Sequence, residues 1–192
     1  MCASAALLKR TPPKRRRMVL TNYRKRLKLI KSGLPRLVIR RTNRYIIVQA
    51  VQSLSGGDRT LVTAISKELR KLGWRGGLKN TPAAYLTGVL VGTRIKALGV
   101  RELIADLGLF SKASRLYAVI KGVIDAGIEV PVSEEVLPSE ERLKGAHIRQ
   151  YFEKIPQEPF MKTFTKVDKE AYSRLEAHVE EIKQKILLEG SK

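Results

Sequence analysis

The sequence predicts a mixed α/β fold, and three observations carry that reading. Three strand-like runs follow one another across short turns between residues 36 and 65. Two helix-like runs then alternate with two more strand-like runs, giving the order β-β-β-α-β-α-β. The chain also divides by charge: 15 Lys and Arg precede the first acidic residue, Asp58. A basic N-terminal arm is thereby set apart from a nearly balanced domain.

Residues 1–20 read as irregular, with Pro12-Pro13 extended ahead of the KRRR run at 14–17. Thr21 or Asn22 caps a short helix over 23–32, with Gly33 as its stop and Pro35 beyond. Leu20, Tyr23, Leu27 and Ile30 fall on one stripe of that helix, and Arg24, Lys25, Lys28 and Lys31 cover much of the rest. RLVIRR at 36–41 is a half-buried strand, facing Arg36, Val38 and Arg40 one way and Leu37 and Ile39 the other. Thr42-Asn43 reverses the chain into a second strand at 45–51. SGGD at 55–58 turns it into a third at 60–65. Short turns make these three an antiparallel meander.

Residues 66–80 form a Gly-rich, basic connection holding Lys71, Trp74, Arg75 and Lys79, with Trp74 either a core plug or a stacking platform and Gly76-Gly77 a place of close backbone approach. Thr81, as cap, and Pro82 start a helix that ends at Gly99. Ala84, Gly88 and Gly92 recur every four residues and let that helix lie close on a sheet. Residues 102–107 are a short strand, 114–126 a second helix stopped by Gly127, and 128–132 a last strand. Strands that alternate with helices pair in parallel, so the sheet is mixed and covered by helices. Residues 133–165 are Pro-rich and irregular. Asp168 caps a C-terminal helix reaching Glu189, on which Tyr172, Leu175, Val179, Ile182 and Ile186 keep heptad spacing. The division is an arm at 1–34, an α/β core at 35–132, and an irregular segment with a C-terminal helix at 133–192.

The net charge is +20, of which the first 57 residues supply +15. An excess so localised points to a polyanionic partner. No run approaches the ~18–20 apolar residues of a membrane span, and CASAALL is too short for a signal-peptide core. A single Cys excludes an intramolecular disulfide, and with His147 and His178 it makes a poor zinc set. These totals fit a soluble intracellular protein. A metal-dependent nuclease needs clustered carboxylates on strand ends. The first two strands carry none, and Asp106 and Glu129 belong to different strands. No enzyme and no cofactor are expected.

Four segments resemble a known family: NYRKRLKLIKSGLPRLVIRRTNRYIIVQ, KELRKLGWRGGLKNTPAAYLTGVLVG, SRLYAVIKGVIDAG and PSEERLKGAHI. They are similar to the 5S-rRNA-binding protein of the large ribosomal subunit, the universal eighteenth large-subunit family in its archaeal form, over residues 22–148. The resemblance implies a ribonuclease-H-like topology and attachment of 5S rRNA at the central protuberance. It also implies partners among large-subunit rRNA and neighbouring ribosomal proteins, and a place in the cytoplasmic large subunit. It does not extend to the first twenty residues.

Candidate contacts begin with the arm: Lys14, Arg15, Arg16, Arg17, Arg24, Lys25, Arg26, Lys28 and Lys31. Clustered cations displace counterions from phosphates, and Asn22, Tyr23 and Asn43 sit among them with base-edge and stacking capacity. The plainer alternatives for such a run are a solvated tail, a localisation signal or adhesion to acidic lipid. Arg36, Arg40, Arg41 and Arg44 carry the basic surface onto the sheet. Lys112, Ser114 and Arg115 lie at a helix start suited to a phosphate, or form an ordinary cap with Ser114 as the cap residue. Rival readings are a nucleic-acid-processing enzyme on the same fold and a general RNA- or DNA-binding chaperone.

Overall fold

The structure is a computed structural model and describes residues 12, 14–110, 113–154 and 172–189. Among these residues the elements are α1 (Lys14–Arg17), α2 (Tyr23–Ile30), β1 (Arg36–Arg41), β2 (Ile46–Leu54), β3 (Gly57–Ile65), α3 (Thr81–Ala97), β4 (Ile104–Asp106), α4 (Ser114–Asp125), α5 (Glu140–Lys144), α6 (Ala146–Lys154) and α7 (Leu175–Glu189). Short 3-10 turns occupy Ser66–Arg70 and Glu134–Val136.

The sheet has the order β3-β2-β1-β4. The meander pairs antiparallel, and β4 joins β1 in parallel. Cross-strand partners share a face, so Leu37 with Ala50 and Ile39 with Val48 build the inner face. All four are fully buried. Arg36, Val38 and Arg40, paired with Val51, Gln49 and Ile47, build the outer face. A bulge between Ala50 and Val51 shifts the β2–β3 register, and the two strands run on to a tight turn at Ser55-Gly56. Both strands are therefore longer than their apolar runs suggest, because backbone pairing continues where the side chains turn polar.

Helix α3 lies on the inner face, against β2 and β3, and packs also on α4, α5 and α7. Buried from all sides, it is exposed only at its end, at Lys96 and Ala97. Its cap is Asn80, whose Oδ1 accepts from the Ala83 amide at 2.9 Å. Thr81 and Pro82 are the first two helical residues, so the predicted cap is displaced by one. The Gly88 and Gly92 stripe meets a helix and not the sheet. A Cβ at Gly88 would collide with the Val119 carbonyl oxygen of α4, and one at Gly122 with the Tyr85 carbonyl oxygen of α3. The two helix backbones touch where side chains normally keep them 8–10 Å apart at their axes.

The predicted strand at 128–132 is reduced to a single parallel bridge between Glu102 and Glu129. Glu129 donates its amide to Arg101 at 2.8 Å and accepts from the Leu103 amide at 2.9 Å. Two residues on, Pro131 has no N–H to give and restricts Val130 before it, which ends the pairing. Trp74 is a core residue, 2% exposed, and the close approach at Gly76 is to its indole, 2.5 Å from where a Cβ would lie. The heptad stripe of α7, with Tyr172 just before it, is buried against the chain's own α3, α5 and α6. Its predicted cap, Asp168, falls outside the described residues.

Gly88→Ala and Gly122→Ala should each lower thermal stability, with a net loss of about 1–3 kcal/mol from overpacking. That outweighs the ~1 kcal/mol that Ala gains over Gly inside a helix. Gly56→Ala, with nothing within 4 Å of the new Cβ, should change stability by under ~0.5 kcal/mol. Thermal melts of the three variants check the contrast.

Candidate nucleic-acid interface

Two short basic helices lead into the sheet. Lys14 to Arg17 form α1 and are all exposed. The chain then turns at Val19, a β-branched residue at φ 53, in the left-handed region that such side chains rarely enter. Asn22 caps α2, its Oδ1 accepting from the Lys25 amide at 3.1 Å. That use of its side-chain oxygen leaves its amide nitrogen as the group available for base-edge contact.

The helix presents a different face from the one its apolar residues suggest. Leu20 and Leu27 are each 55% exposed, while Tyr23, Arg26, Leu29 and Ile30 are half-buried. Arg26 lies on the inward face with them. Its Nη2 donates to Asp58 Oδ2 at 2.7 Å, across 32 residues of sequence. Arg24, Lys25, Lys28 and Lys31 then face outward.

Asp58 also accepts from Arg36 Nη2 at 2.6 Å and from the Ser53 hydroxyl at 2.9 Å. Arg36 in turn donates from Nη1 to Asp106 Oδ2 at 3.0 Å. Arg40 closes the ladder, donating to the Asp106 carbonyl at 2.9 Å and approaching its Oδ1 at 3.4 Å. The sequence Arg26–Asp58–Arg36–Asp106–Arg40 thus links α2, β3, β1 and β4. Burial alone would raise the Asp58 carboxyl. The hydrogen bonds from Ser53 and Arg36 and the charges of Arg36 and Arg26 outweigh it and hold the carboxyl below its ordinary 3.8.

This corrects the reading of Arg36 as an exposed phosphate ligand. Its side chain is 4% exposed and bonded to two carboxylates, and among the described residues its Nε is the one buried side-chain polar atom without a partner. The hydrophobic strand pattern could not show this, because an Arg at an outward position is ordinarily solvated. Arg40, 43% exposed, keeps part of its guanidinium open. Between α2 and the outer face lies a cleft of about 720 Å³, lined among others by Arg15, Lys25, Lys28, Arg40, Gln49 and Tyr117.

A second group gathers at the far end of β1. Arg41 sits over the Phe110 ring at 5.0 Å. Thr42 and Tyr45 close the turn through hydrogen bonds of 2.8 Å, leaving Asn43 and Arg44 exposed at its tip. Arg115 donates to the Lys79 carbonyl at 3.2 Å; burial, then the charge of Arg41, lower its pKa. Ser114 is the first residue of α4 and exposed, and the cap position belongs to Ala113, which has no side-chain acceptor. The reading of Ser114 as cap is therefore replaced. Lys112 lies outside the described residues.

The carboxylates a nuclease reading requires do come near one another, as Asp58 and Asp106, but the Arg36 guanidinium stands between them where a metal ion would. No group of three His, Cys, Asp or Glu side chains able to hold a metal occurs among the described residues. No helix there is long and apolar enough to cross a membrane.

The chain is similar to known proteins over most of its length. The sequence profile of a family described as ribosomal large subunit proteins 60S L5 and 50S L18 matches residues 9–106. The chain is 55% identical over 147 residues to large ribosomal subunit protein uL18 of Korarchaeum cryptofilum, covering 76% of this chain and 75% of the relative. It is 43% identical over 177 residues to uL18 of Methanothermobacter thermautotrophicus, covering 90% and 92%. For uL18 of Caldivirga maquilingensis the figures are 45% over 185 residues, 91% and 88%.

Asp58→Asn should destabilise the protein by about 1–3 kcal/mol, since it leaves Arg36 buried with one carboxylate fewer; the partial exposure of Asp58 keeps the loss below that of a fully buried pair. The Asp58 carboxyl titrates below 3.8 in the folded protein. Its contribution is therefore present in full above that ordinary value and lost as pH falls through the lower folded value. Thermal melts of wild type and variant should differ most at neutral pH and converge in acid.

Proposed function

The chain belongs to the family of large-ribosomal-subunit proteins that includes 60S L5 and 50S L18, and from that premise we propose that it binds 5S rRNA through its basic arm and helps anchor that RNA at the central protuberance. As a member of the family it is a structural, non-enzymatic constituent of the large ribosomal subunit, a cytoplasmic particle, with rRNA and ribosomal proteins as partners.

One observation carries the RNA reading. Among the described residues, the carboxylates of Asp58 and Asp106 beside the arm bond to Arg26, Arg36 and Arg40, while Lys14, Arg15, Arg16, Arg17, Arg24, Lys25, Lys28 and Lys31 are all exposed. The outward field has one sign, as a surface lying along phosphates requires: a carboxylate there would face like charge. Arg40, Arg41, Asn43, Arg44, Ser114 and Arg115 extend the contact past the end of β1, with Tyr23 and Asn22 offering stacking and a base-edge donor. Arg36 and Arg26 serve the contact indirectly, by holding α2 in place. The same reading keeps the three-part division at residues 34 and 132. It treats the Glu129 bridge as the remnant of the fifth strand in a ribonuclease-H-like order.

The test is a titration of 5S rRNA at several salt concentrations. Neutralising ~6–10 phosphates gives a log–log slope of about −4 to −9. Changing the eight exposed arm cations to Gln should weaken binding by about two to four decades without loss of the circular-dichroism signal. A wild-type slope flatter than about −2 would rule out the arm as the main source of affinity.

A further inference from the structure

The turn between α1 and α2 places an apolar side chain where the backbone favours none. The Leu20 amide donates to the Arg15 carbonyl at 2.9 Å and the Val19 amide to the Arg16 carbonyl at 3.1 Å. This pair of bonds is a Schellman cap, whose left-handed position is usually glycine. Val19 fills it at φ 53. Its side chain, 71% exposed, gains little burial among the described residues in return.

Val19 does not stand alone. With Leu27 and Leu109, 55% and 52% exposed, it lines one cavity of about 570 Å³, inside the ~300–1,000 Å³ range of small-ligand sites. Single apolar side chains are ordinary on a surface, whereas a group of them around one concavity marks a binding site. Asn22, Tyr23, Arg16 and Arg24 line the same cavity, and among the described residues no carboxylate does. The Asn22 Oδ1 accepts from the Lys25 amide, so Asn22 turns to a ligand with its amide N–H groups. The Tyr23 hydroxyl can donate as well, and the two arginines only donate. The site is an aliphatic pocket supplied with hydrogen-bond donors and two exposed cations.

We propose that this pocket receives one unstacked nucleotide of the RNA that lies along the arm, its base against Val19, Leu27 and Leu109 and its phosphate on Arg16 and Arg24. A paired RNA helix keeps its bases stacked and offers a protein chiefly phosphates and sugars. Phosphate laid on aliphatic side chains would lose hydration with nothing in return. Cations alone therefore suffice for a duplex, and the aliphatic wall calls for a base. Every base carries acceptors on its edge, which the Asn22 amide matches. The pocket lies where α1 meets α2, inside the surface whose exposed cations carry the RNA reading. The inference rests on that reading and adds to it recognition of an unpaired position, by residues that hold no charge.

The experiment compares full-length wild type with Val19→Gly/Leu27→Ser/Leu109→Ser, titrating 5S rRNA and a fully paired RNA duplex of the same length over a salt series. The variant should bind 5S rRNA about tenfold more weakly. Its log–log slope should stay within about 1 of the wild-type value, because no charge is removed. Affinity for the duplex should change less than about twofold. Val19→Gly alone should melt no lower than wild type, since glycine relieves the cap, yet bind 5S rRNA about threefold more weakly; a merely structural residue would not separate the two readouts. Should the triple variant lose its circular-dichroism signal, Val19→Gly decides alone. Unchanged 5S rRNA affinity in the folded variants overturns the proposal and leaves the pocket to a protein partner, and an equal loss on the duplex overturns it too. A wild-type slope flatter than about −2 marks instead the failure of the arm reading, and this inference falls with it.

Discussion

The outer face of the sheet is organised by the buried guanidinium of Arg36. A cation 4% exposed carries a desolvation cost of several kcal/mol unless carboxylates compensate it. Asp58 and Asp106 do so from β3 and β4, the strands that flank the β1–β2 pair on either side. Each carboxylate then takes a second arginine, Arg26 from α2 and Arg40 from β1. Charges that would oppose RNA are thereby spent inside the protein. The first carboxylate of the chain is the one that folds back to seat the arm.

On the other side of the sheet, the constraint is close contact between backbones. α3 and α4 meet through Gly88 and Gly122 at distances no side chain permits. α3 is left with its remaining surface for the sheet and for α7. The C-terminal helix completes the core, with Leu175, Val179, Ile182 and Ile186 among its buried residues, and brings His178 to Trp74.

Much of this was legible in the residues. Strand β1 keeps its predicted bounds, and Leu37 and Ile39 face the apolar core as the alternation requires. Asn22 and Gly33 mark the ends of α2, since an Asx side chain and a left-handed glycine are local signals. The heptad of α7 announced burial, though not against what. What escaped was set by distant partners. Arg36 reads as exposed until Asp58 and Asp106 are placed beside it. The rotation of α2 turns Tyr23, Leu29 and Ile30 toward the protein with Arg26, which reaches Asp58, and leaves Leu20 and Leu27 outside. The glycine stripe of α3 signals close approach without naming the neighbour, and Pro131 shortens a strand that composition alone would extend. The stacking of Trp74 on His178 needs α7, about a hundred residues later, to exist at all.

Hydrogen exchange of the α2 amides in the RNA-free protein tests the central claim most directly. An isolated helix of eight residues is marginal in water, so protection there reports docking to the sheet and not intrinsic helicity. The Asp58 anchor predicts that the amides of Leu27 to Lys31 exchange at least about tenfold more slowly than an unstructured chain, and that Asp58→Asn or Arg26→Gln abolishes this. Unprotected amides in the wild type, or protection that survives both substitutions, would contradict the account.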